Sequence, residues 1–285
     1  VVDCLTLRVK PGLVYGFLGR NGAGKTTTIK MLLGLLAPTR GAARLLGCPS
    51  AELTPEVKAR IGYLVEGHPL YGWMTVRGIG RFVASFYPNW NAGLFNDLLD
   101  AFQVPWKQKV GTLSKGQRAQ VSLALTLAPE PELLIMDDPT LGLDPAVRRD
   151  FLESIVRVIQ RKGRTVFFSS HILSDVERVA DRIAVIEDGI LLADCPTDMF
   201  HERVKKVRAA FDKTPPALDL PRTVNRTLEG NDLYVTVVDY GEEQERLLRH
   251  AGAREVEIIP LGLEDLFIEY TARRGPARPI KSVSL

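Results

Sequence analysis

The spacing of apolar residues along the chain predicts strands that alternate with helices. Strand-like apolar runs occupy Leu13–Leu18, Leu133–Met136 and Thr165–Ser169. Apolar residues recur at helical spacing from Lys25 to Leu36 and from Pro145 to about Arg161. Strands that alternate with helices are typical of a mostly parallel sheet, so we predict an α/β fold.

Two further regions are predicted to form strands, one from alternating apolar and polar residues and one from a hairpin signal. Residues Val1–Lys10 read as a half-buried strand. Ile183–Glu187 and Ile190–Ala193 flank the pair Asp188-Gly189, which is a strong short-range signal for a β-hairpin. We therefore expect a hairpin after the last predicted parallel strand.

The pattern changes twice along the chain and divides it into regions. Residues from about 69 to 128 have helical periodicity and contain all three tryptophans, which indicates a helical insert in the α/β core. Beyond residue 203 a small second α/β domain is predicted over 204–272, from the alternating run Leu233–Val238, the charged helix Glu242–His250 and the strand Glu255–Ile259. Residues 273–285 are basic and are expected to be a flexible tail, with a contact to a membrane surface or a partner as the alternative.

Composition excludes some classes of protein. The 285 residues are 45% hydrophobic. The 37 basic and 34 acidic side chains give a formal charge of only +3, so the net charge does not indicate a nucleic-acid partner. The three cysteines lie far apart and fit neither a disulfide framework nor a zinc site, which favours a reducing compartment. No apolar run reaches the roughly 20 residues that a membrane-spanning helix needs. Since residue 1 is Val, we expect the natural chain to begin further upstream.

A glycine-rich loop between a predicted strand and a predicted helix carries the strongest chemical signal. The pattern G-x-x-x-x-G-K-T lets backbone N–H groups surround phosphate oxygens, and the helix N-terminus adds a positive field. Lysine in this pattern holds the β- and γ-phosphates, and the following threonine binds Mg²⁺. We therefore predict a nucleotide-binding loop made of Gly19, Asn21, Gly22, Ala23, Gly24, Lys25, Thr26 and Thr27.

A pair of carboxylates follows the apolar strand at Leu133–Met136. Many core strands end in Asp, but in a P-loop protein Asp137 would orient Mg²⁺, and Asp138 could position or deprotonate an attacking water. His171 also follows an apolar strand, where a histidine can be either structural or catalytic.

The short sequence Leu113–Gln117 opens another predicted helix. Ser114 and Gln117 have the spacing of a capping box, which is either a well-capped helix start or an anion site suited to a γ-phosphate.

In chain order these elements resemble those of ABC ATPases. The loop 19–26, the sequence 113–117, the acidic strand 133–138, the sequence 141–144 and His171 look like the Walker A, signature, Walker B, D-loop and switch-histidine elements. The resemblance covers residues 1 to about 204, and the rest is similar to C-terminal extensions of bacterial exporter ATPases of the drug, antibiotic and bacitracin-resistance kind. It implies a P-loop NTPase core of residues 1–203 with a helical subdomain, and ATP and Mg²⁺ as ligands.

The resemblance also implies a mechanism. Two copies, or this chain and a paralogue, pair head to tail, so that ATP held by Lys25 and Thr26 of one subunit is closed by Ser114 and Gly116 of the other. Asp144 links the two sites, and His171 contacts the γ-phosphate. Glu66 stands where the family usually has Gln and is expected to reach Mg²⁺ or water.

Three positions depart from the family pattern. Lys115 replaces a glycine of the signature. Asp138 stands where the family usually has Glu, which predicts slow but nonzero hydrolysis because the carboxylate reaches less far. The aromatic residue that stacks on adenine would lie upstream of Val1, since Tyr15 is too close to the loop.

These features favour an ATP-hydrolysing subunit of a membrane exporter whose permease is a separate chain. We expect this subunit in the cytoplasm, at the inner face of the plasma membrane. The apolar residues Leu70, Tyr71, Trp73 and Met74 are the expected docking surface, with core packing as the alternative reading. Two alternatives stay open: an ABC ATPase that remodels a protein or nucleic-acid assembly, and a nucleotide-gated subunit with little hydrolysis. No direct nucleic-acid contact is expected.

Overall fold

The computed structural model describes residues 1–160 and 163–271. The first part of the chain contains the following elements: β1 (Val14–Leu18), α1 (Lys25–Leu32), β2 (Arg44–Leu45), β3 (Cys48–Pro49), α2 (Pro55–Ala59), β4 (Ile61–Leu64), α3 (Val76–Ala84), α4 (Ala92–Ala101), α5 (Lys115–Leu127), β5 (Leu133–Asp137), α6 (Pro145–Gln160) and β6 (Thr165–Ser170). The remaining elements are α7 (Leu173–Glu177), β7 (Arg182–Glu187), β8 (Ile190–Pro196), α8 (Thr197–Arg203), β9 (Val204–Phe211), β10 (Thr223–Glu229), β11 (Asp232–Val238), α9 (Glu242–His250), β12 (Ala253–Ile259) and α10 (Leu263–Thr271).

A six-stranded sheet of order β4-β5-β6-β1-β7-β8 forms the centre of the molecule, and every neighbouring pair except β7 and β8 is parallel. Alternate residues of β1 face opposite sides: Tyr15 and Phe17 enter one apolar cluster, and Val14 and Leu18 enter the other. A sheet that is buried on both faces is typical of parallel α/β proteins. The carboxyl ends of β1, β4, β5 and β6 share one edge, so the loops that follow these strands meet there.

The helical insert between β4 and β5 contains α3, α4 and α5. Thr75 and Asn91 cap α3 and α4, since their side chains accept hydrogen bonds from Gly78 N–H and Leu94 N–H. Buried residues of all three helices belong to the same apolar cluster as one face of the central sheet. The insert is therefore packed onto the core.

A second sheet, of order β10-β11-β9-β12, is antiparallel and has an apolar cluster of its own. The helix α9 packs beside β12 and contributes Leu248 to this cluster. The helix α10 connects both units. Its apolar residues Leu266, Phe267 and Tyr270 lie in the larger cluster, whereas its Glu269 accepts hydrogen bonds from Lys206, Asn225 and Thr236 of the second sheet.

The structure corrects two expectations about local structure. The helix predicted to run to Leu36 ends at Leu32, because Gly34 takes a left-handed conformation (φ 69°) and Leu35 N–H donates to Lys30 C=O, as in a Schellman motif. Residues 1–10 alternate in exposure, but they form no ladder and are not a strand.

The hairpin at Asp188-Gly189 is present, with positive φ at both residues. The residues predicted to be a tail, 273–285, lie outside the described part of the chain. Within residues 1–160 and 163–271, no helix is both long enough and apolar enough to cross a bilayer.

Candidate functional site

The loop between β1 and α1 presents an open helix N-terminus. Gly24 precedes the helix in a left-handed conformation (φ 109°), and no side chain caps the first turn. The first turn also lacks an acidic residue. Unpaired N–H groups at a helix start, together with the helix dipole, form an anion site. Asn21 and Gly22 are exposed at the outer side of the loop, and Ala23 is buried beneath it.

Lys25 is only 5% exposed and is folded back into this loop. Its Nζ donates to Gly19 C=O at 2.9 Å and to Arg20 C=O at 3.3 Å, and it lies 3.5 Å from Asp138 Oδ2. The lysine thus joins the phosphate loop to the acidic strand.

Thr26 and Asp137 form the part of the site that suits a divalent cation. The Thr26 hydroxyl donates to Asp137 Oδ1 at 3.2 Å, and Ser169 Oγ donates to the same oxygen at 2.8 Å. No cluster of three or more His, Cys, Asp or Glu side chains able to hold a metal occurs among the described residues. This donor set fits Mg²⁺, which keeps several waters and shares its protein ligands with substrate phosphates.

Asp138 and His171 are paired. Asp138 Oδ1 accepts from the backbone N–H of His171 at 3.0 Å and lies 2.8 Å from its Nδ1. Because an ionised carboxylate only accepts, Nδ1 is the donor, and Nε2 is left for other partners. Asp138 itself has positive φ (40°), and its N–H donates to Ser169 Oγ. Of the three side chains predicted to act in catalysis, Asp138 and His171 are therefore in direct contact.

The loop after Asp138 is held by buried polar side chains. The hydroxyl of Thr140 donates to Asp175 Oδ2 at 2.7 Å, and Arg148 Nε lies 3.9 Å from the same oxygen. Burial raises the pKa of Asp175, although Thr140 and Arg148 oppose the shift.

On its other side the same loop contacts His68, whose Nε2 lies 3.0 Å from Pro139 C=O. Burial lowers the pKa of His68 and the nearby Arg118 adds to the shift, whereas the contact with Pro139 opposes it.

The remaining predicted site residues do not join this cluster within one chain. Ser114 and Gln117 complete a capping box with each other at the start of α5. Gly116 is buried against α6, where an added Cβ would lie 2.7 Å from Val147 Cγ1. Asp144 is exposed and caps α6 by accepting from Val147 N–H.

Glu66 is exposed, and its carboxylate makes no hydrogen bond or ion pair with the residues that the structure describes. Its charge helps to raise the pKa of Tyr63, after burial and the charge of Asp137. Glu66 is therefore near the acidic strand without being fixed to it.

The sequence analysis did not identify Ser169, Asp175 and His68. Ser169 precedes His171 by two residues on β6, and that spacing places it against Asp137. Asp175 is a buried carboxylate on α7, and His68 follows Glu66 by two residues. Their polarity in apolar surroundings was the available signal, but burial could not be read from the pattern.

The helical insert carries an exposed aromatic surface made of Tyr71, Trp73, Phe82 and Phe86. Trp73 is 71% exposed, and each neighbouring pair has ring centroids 5.2 to 6.2 Å apart. Leu70 and Met74 are instead partly buried against the core. Of the four predicted docking residues, only the two aromatic ones are therefore exposed in this surface.

Comparison with known proteins gives a consistent result. A family model described as ABC transporter matches residues 2–141. The bacitracin transport ATP-binding protein of Bacillus licheniformis is 39% identical over 207 residues, which cover 72% of this chain and 68% of that protein. The Nod factor export ATP-binding protein I of Paraburkholderia xenovorans is 35% identical over 284 residues, with 96% and 92% covered.

Solved structures give the same fold. A structure of an ATP-binding subunit of an ABC transporter has a TM-score of 0.63 at 29% identity, covering 71% of this chain and 86% of that one. A dimeric ATP-binding cassette in a post-hydrolysis state with ADP and phosphate has a TM-score of 0.60 and covers 69% and 90%. At 21% identity, this second likeness concerns the fold alone.

Proposed function

Since the chain belongs to the ABC transporter family of ATP-binding subunits, we propose that it binds and slowly hydrolyses ATP between two paired subunits and so drives a separate membrane-spanning export partner. The observation that carries this proposal is the meeting of Lys25, Asp137, Asp138 and His171 beside an uncapped helix N-terminus. A phosphate-binding loop and a water-activating carboxylate on one sheet edge are the parts that phosphoryl transfer requires.

ATP would enter with its phosphates in the loop that contains Gly19, Gly22 and Gly24. Lys25 leaves its bonds to the Gly19 and Arg20 carbonyls and binds the β- and γ-phosphates instead. Thr26 and Asp137 would hold Mg²⁺, which supplies charge neutralisation to the phosphates.

Both carboxylate oxygens of Asp138 have partners within the chain. Its Oδ2 faces Lys25 and its Oδ1 faces His171. When the phosphates attract Lys25, Oδ2 becomes available to accept a proton from the attacking water, and His171 keeps the carboxylate oriented. Nε2 of His171, with a hydrogen to donate to a phosphate oxygen, is then the group that contacts the γ-phosphate.

The second half of the site comes from another subunit. Ser114, Gly116 and Gln117 begin α5 at a helix terminus suited to a phosphate, and among the described residues no hydrogen bond or ion pair joins them to the phosphate loop of their own chain. We assign them to the nucleotide of the partner subunit, with Asp144 between the two sites. The pair is either two copies of this chain or this chain with a paralogue, and mass measurement of the ATP-bound complex distinguishes them.

Steady-state hydrolysis of Mg²⁺-ATP tests the catalytic assignment. We expect Asp138→Glu to raise kcat by about tenfold or more, because the added methylene extends the reach by about 1.5 Å and a misplacement of about 1 Å can cost ~100-fold. Lys25→Ala gives the background rate.

An unchanged or lower rate for Asp138→Glu would contradict the proposed cause of slow turnover. A wild-type rate equal to that of Lys25→Ala would instead favour the nucleotide-gated alternative.

The aromatic surface of Tyr71, Trp73, Phe82 and Phe86 is the proposed contact with the export partner at the cytoplasmic membrane face. Exposed aromatic clusters of this kind mark protein interfaces. We expect Trp73→Asp to abolish copurification with a membrane protein and to leave basal ATP hydrolysis unchanged.

Leu228→Asp is the matched control, because Leu228 is also an exposed apolar residue but lies on β10. Equal copurification of both variants would place the partner elsewhere.

A further inference from the structure

His68 joins two loops that serve different parts of the site. β4 and β5 are parallel neighbours, with Leu64 opposite Met136, so the loop with Glu66 and the loop with Asp138 leave the sheet side by side. His68 lies in the first loop, and Pro139 follows Asp138 in the second. The two loops meet through the His68 ring.

The contact is buried and directional. His68 is 4% exposed, and its Nε2 lies 3.0 Å from Pro139 C=O. Since a carbonyl oxygen only accepts, the hydrogen is on Nε2. Nδ1 is buried and has no hydrogen-bond partner among the described residues. A hydrogen on Nδ1 would be a buried unpaired donor, so the geometry selects the Nε2–H tautomer.

Both loops have unusual backbone conformations at this contact. Gly67 and His68 have φ of 74° and 51°, and Asp138 has φ of 40°. Left-handed conformations are uncommon outside glycine and persist when surrounding contacts fix them. The Pro139 carbonyl belongs to the residue directly after Asp138, so a bond to it acts on the Asp138 backbone.

The His68 ring also packs beside the helix α6. Its centroid lies 6.3 Å from that of Phe151 on α6. A residue that only filled this space would need no donor, and an aliphatic side chain would serve equally well. The donor aimed at Pro139 is what distinguishes His68 from core packing.

We propose that His68 is a positioning residue for ATP hydrolysis: its Nε2–H holds the Pro139 carbonyl and so fixes Asp138 relative to the loop that carries Glu66. Movement of the Glu66 loop then reaches Asp138 through this one hydrogen bond. The inference rests on the proposed hydrolysis at Asp138, and it adds a residue that acts through the backbone and not on the substrate.

Two substitutions at His68 separate positioning from packing. His68→Leu removes the donor, and His68→Gln restores one, because Nε2 is four bonds from Cα in both His and Gln. We expect His68→Leu to lower kcat about tenfold, with KM for Mg²⁺-ATP changed less than twofold, since a shift of about 1 Å in a reacting group costs up to ~100-fold. His68→Gln should recover most of the lost kcat.

His250→Leu is the matched control. His250 is exposed on α9, and its Nδ1 also contacts a carbonyl oxygen, that of Arg246 at 2.9 Å. Its hydrolysis should equal that of wild type. The proposal is overturned if His68→Leu keeps its kcat, if His68→Gln is as slow as His68→Leu, or if the loss appears in KM.

A measurement on the wild-type chain covers the case in which the substituted proteins do not fold. The ¹⁵N shifts of the His68 ring report which nitrogen carries hydrogen. Nε2–H is expected, and Nδ1–H would overturn the proposal. Wild-type hydrolysis equal to that of Lys25→Ala would refute the proposed function, whereas the tautomer is read without turnover, so the two failures are distinguishable.

Discussion

The starts of α1 and α5 differ in how their N–H groups are satisfied. At α1, Gly24 is left-handed and offers no side-chain acceptor to the first turn. At α5, Ser114 Oγ accepts from Gln117 N–H and Gln117 Oε1 accepts from Ser114 N–H, each at 3.1 Å. The first terminus offers all its N–H groups to a phosphate, whereas at the second the N–H groups of Ser114 and Gln117 are already paired, which leaves those of Lys115 and Gly116 and the Ser114 hydroxyl hydrogen as donors. A bound phosphate would therefore satisfy more N–H groups at the start of α1 than at the start of α5.

The largest effect is expected from a substitution that distorts the start of α1. Gly24→Ala would place a Cβ 3.0 Å from Val1 C=O at φ 109°, which L-residues rarely adopt. Strain of about 1–3 kcal/mol would pull the loop away from its phosphate-binding shape. We expect ATP affinity, measured by calorimetry, to fall about tenfold.

Gly41→Ala is the control for Gly24→Ala, because Gly41 also has positive φ (87°) but an added Cβ there meets nothing within 4 Å. An equal loss of ATP affinity in both variants would show that the start of α1 has no special role.

An intermediate effect is expected at the closed terminus. Ser114→Ala should lower the free energy of unfolding by about 1 kcal/mol, the usual value of an N-cap, and weaken ATP-driven dimerisation. Binding of ATP to a single chain should not change. Sedimentation with ATP and a Mg²⁺ chelator measures dimerisation without turnover.

Asn91→Ala removes the cap of α4, which has no proposed nucleotide contact. If it weakens dimerisation as much as Ser114→Ala does, the effect comes from stability, and α5 is not the second half of the site.

The smallest effect is expected for Gln117→Ala. It removes the reciprocal bond to Ser114 N–H and leaves the Ser114 cap in place. We expect urea unfolding to show a loss of about 0.5 kcal/mol. A loss as large as that of Ser114→Ala would mean that the box acts as one unit and that its two bonds cannot be separated.

Features that depend on residues close together in the sequence could be predicted, whereas features that depend on the tertiary fold could not. The capping box of Ser114 and Gln117 and the hairpin at Asp188-Gly189 depend on neighbours within four residues, and both are present. The end of α1 also depended on a local residue, Gly34, but the apolar pair Leu35 and Leu36 continued the helical spacing and concealed it. The prediction relied on apolar spacing, although a glycine at position 34 is the stronger indicator of a helix end.

The residues of the candidate site also differ in whether the sequence alone could predict them. Lys25, Thr26, Asp137 and Asp138 could be predicted as site residues because each follows a recognisable strand. Ser169 and His68 could not, because their roles depend on which strands are neighbours in the sheet, and a sequence does not state that order. The proposed docking surface shows the same limit, since Phe82 meets Tyr71 only after α3 folds beside that loop, and Phe86 joins the surface through Phe82.

The position of α10 has a consequence for synthesis of the chain. Leu263, Leu266, Phe267 and Tyr270 belong to the apolar cluster of the central sheet, and the Tyr270 hydroxyl donates to Leu192 C=O. At about 5–20 residues per second, a ribosome needs about 4–15 s to proceed from the end of β8 to residue 271. During that interval the nascent chain exposes the apolar surface that α10 later covers. A chaperone can bind this surface until α10 has been synthesised and packs onto the core.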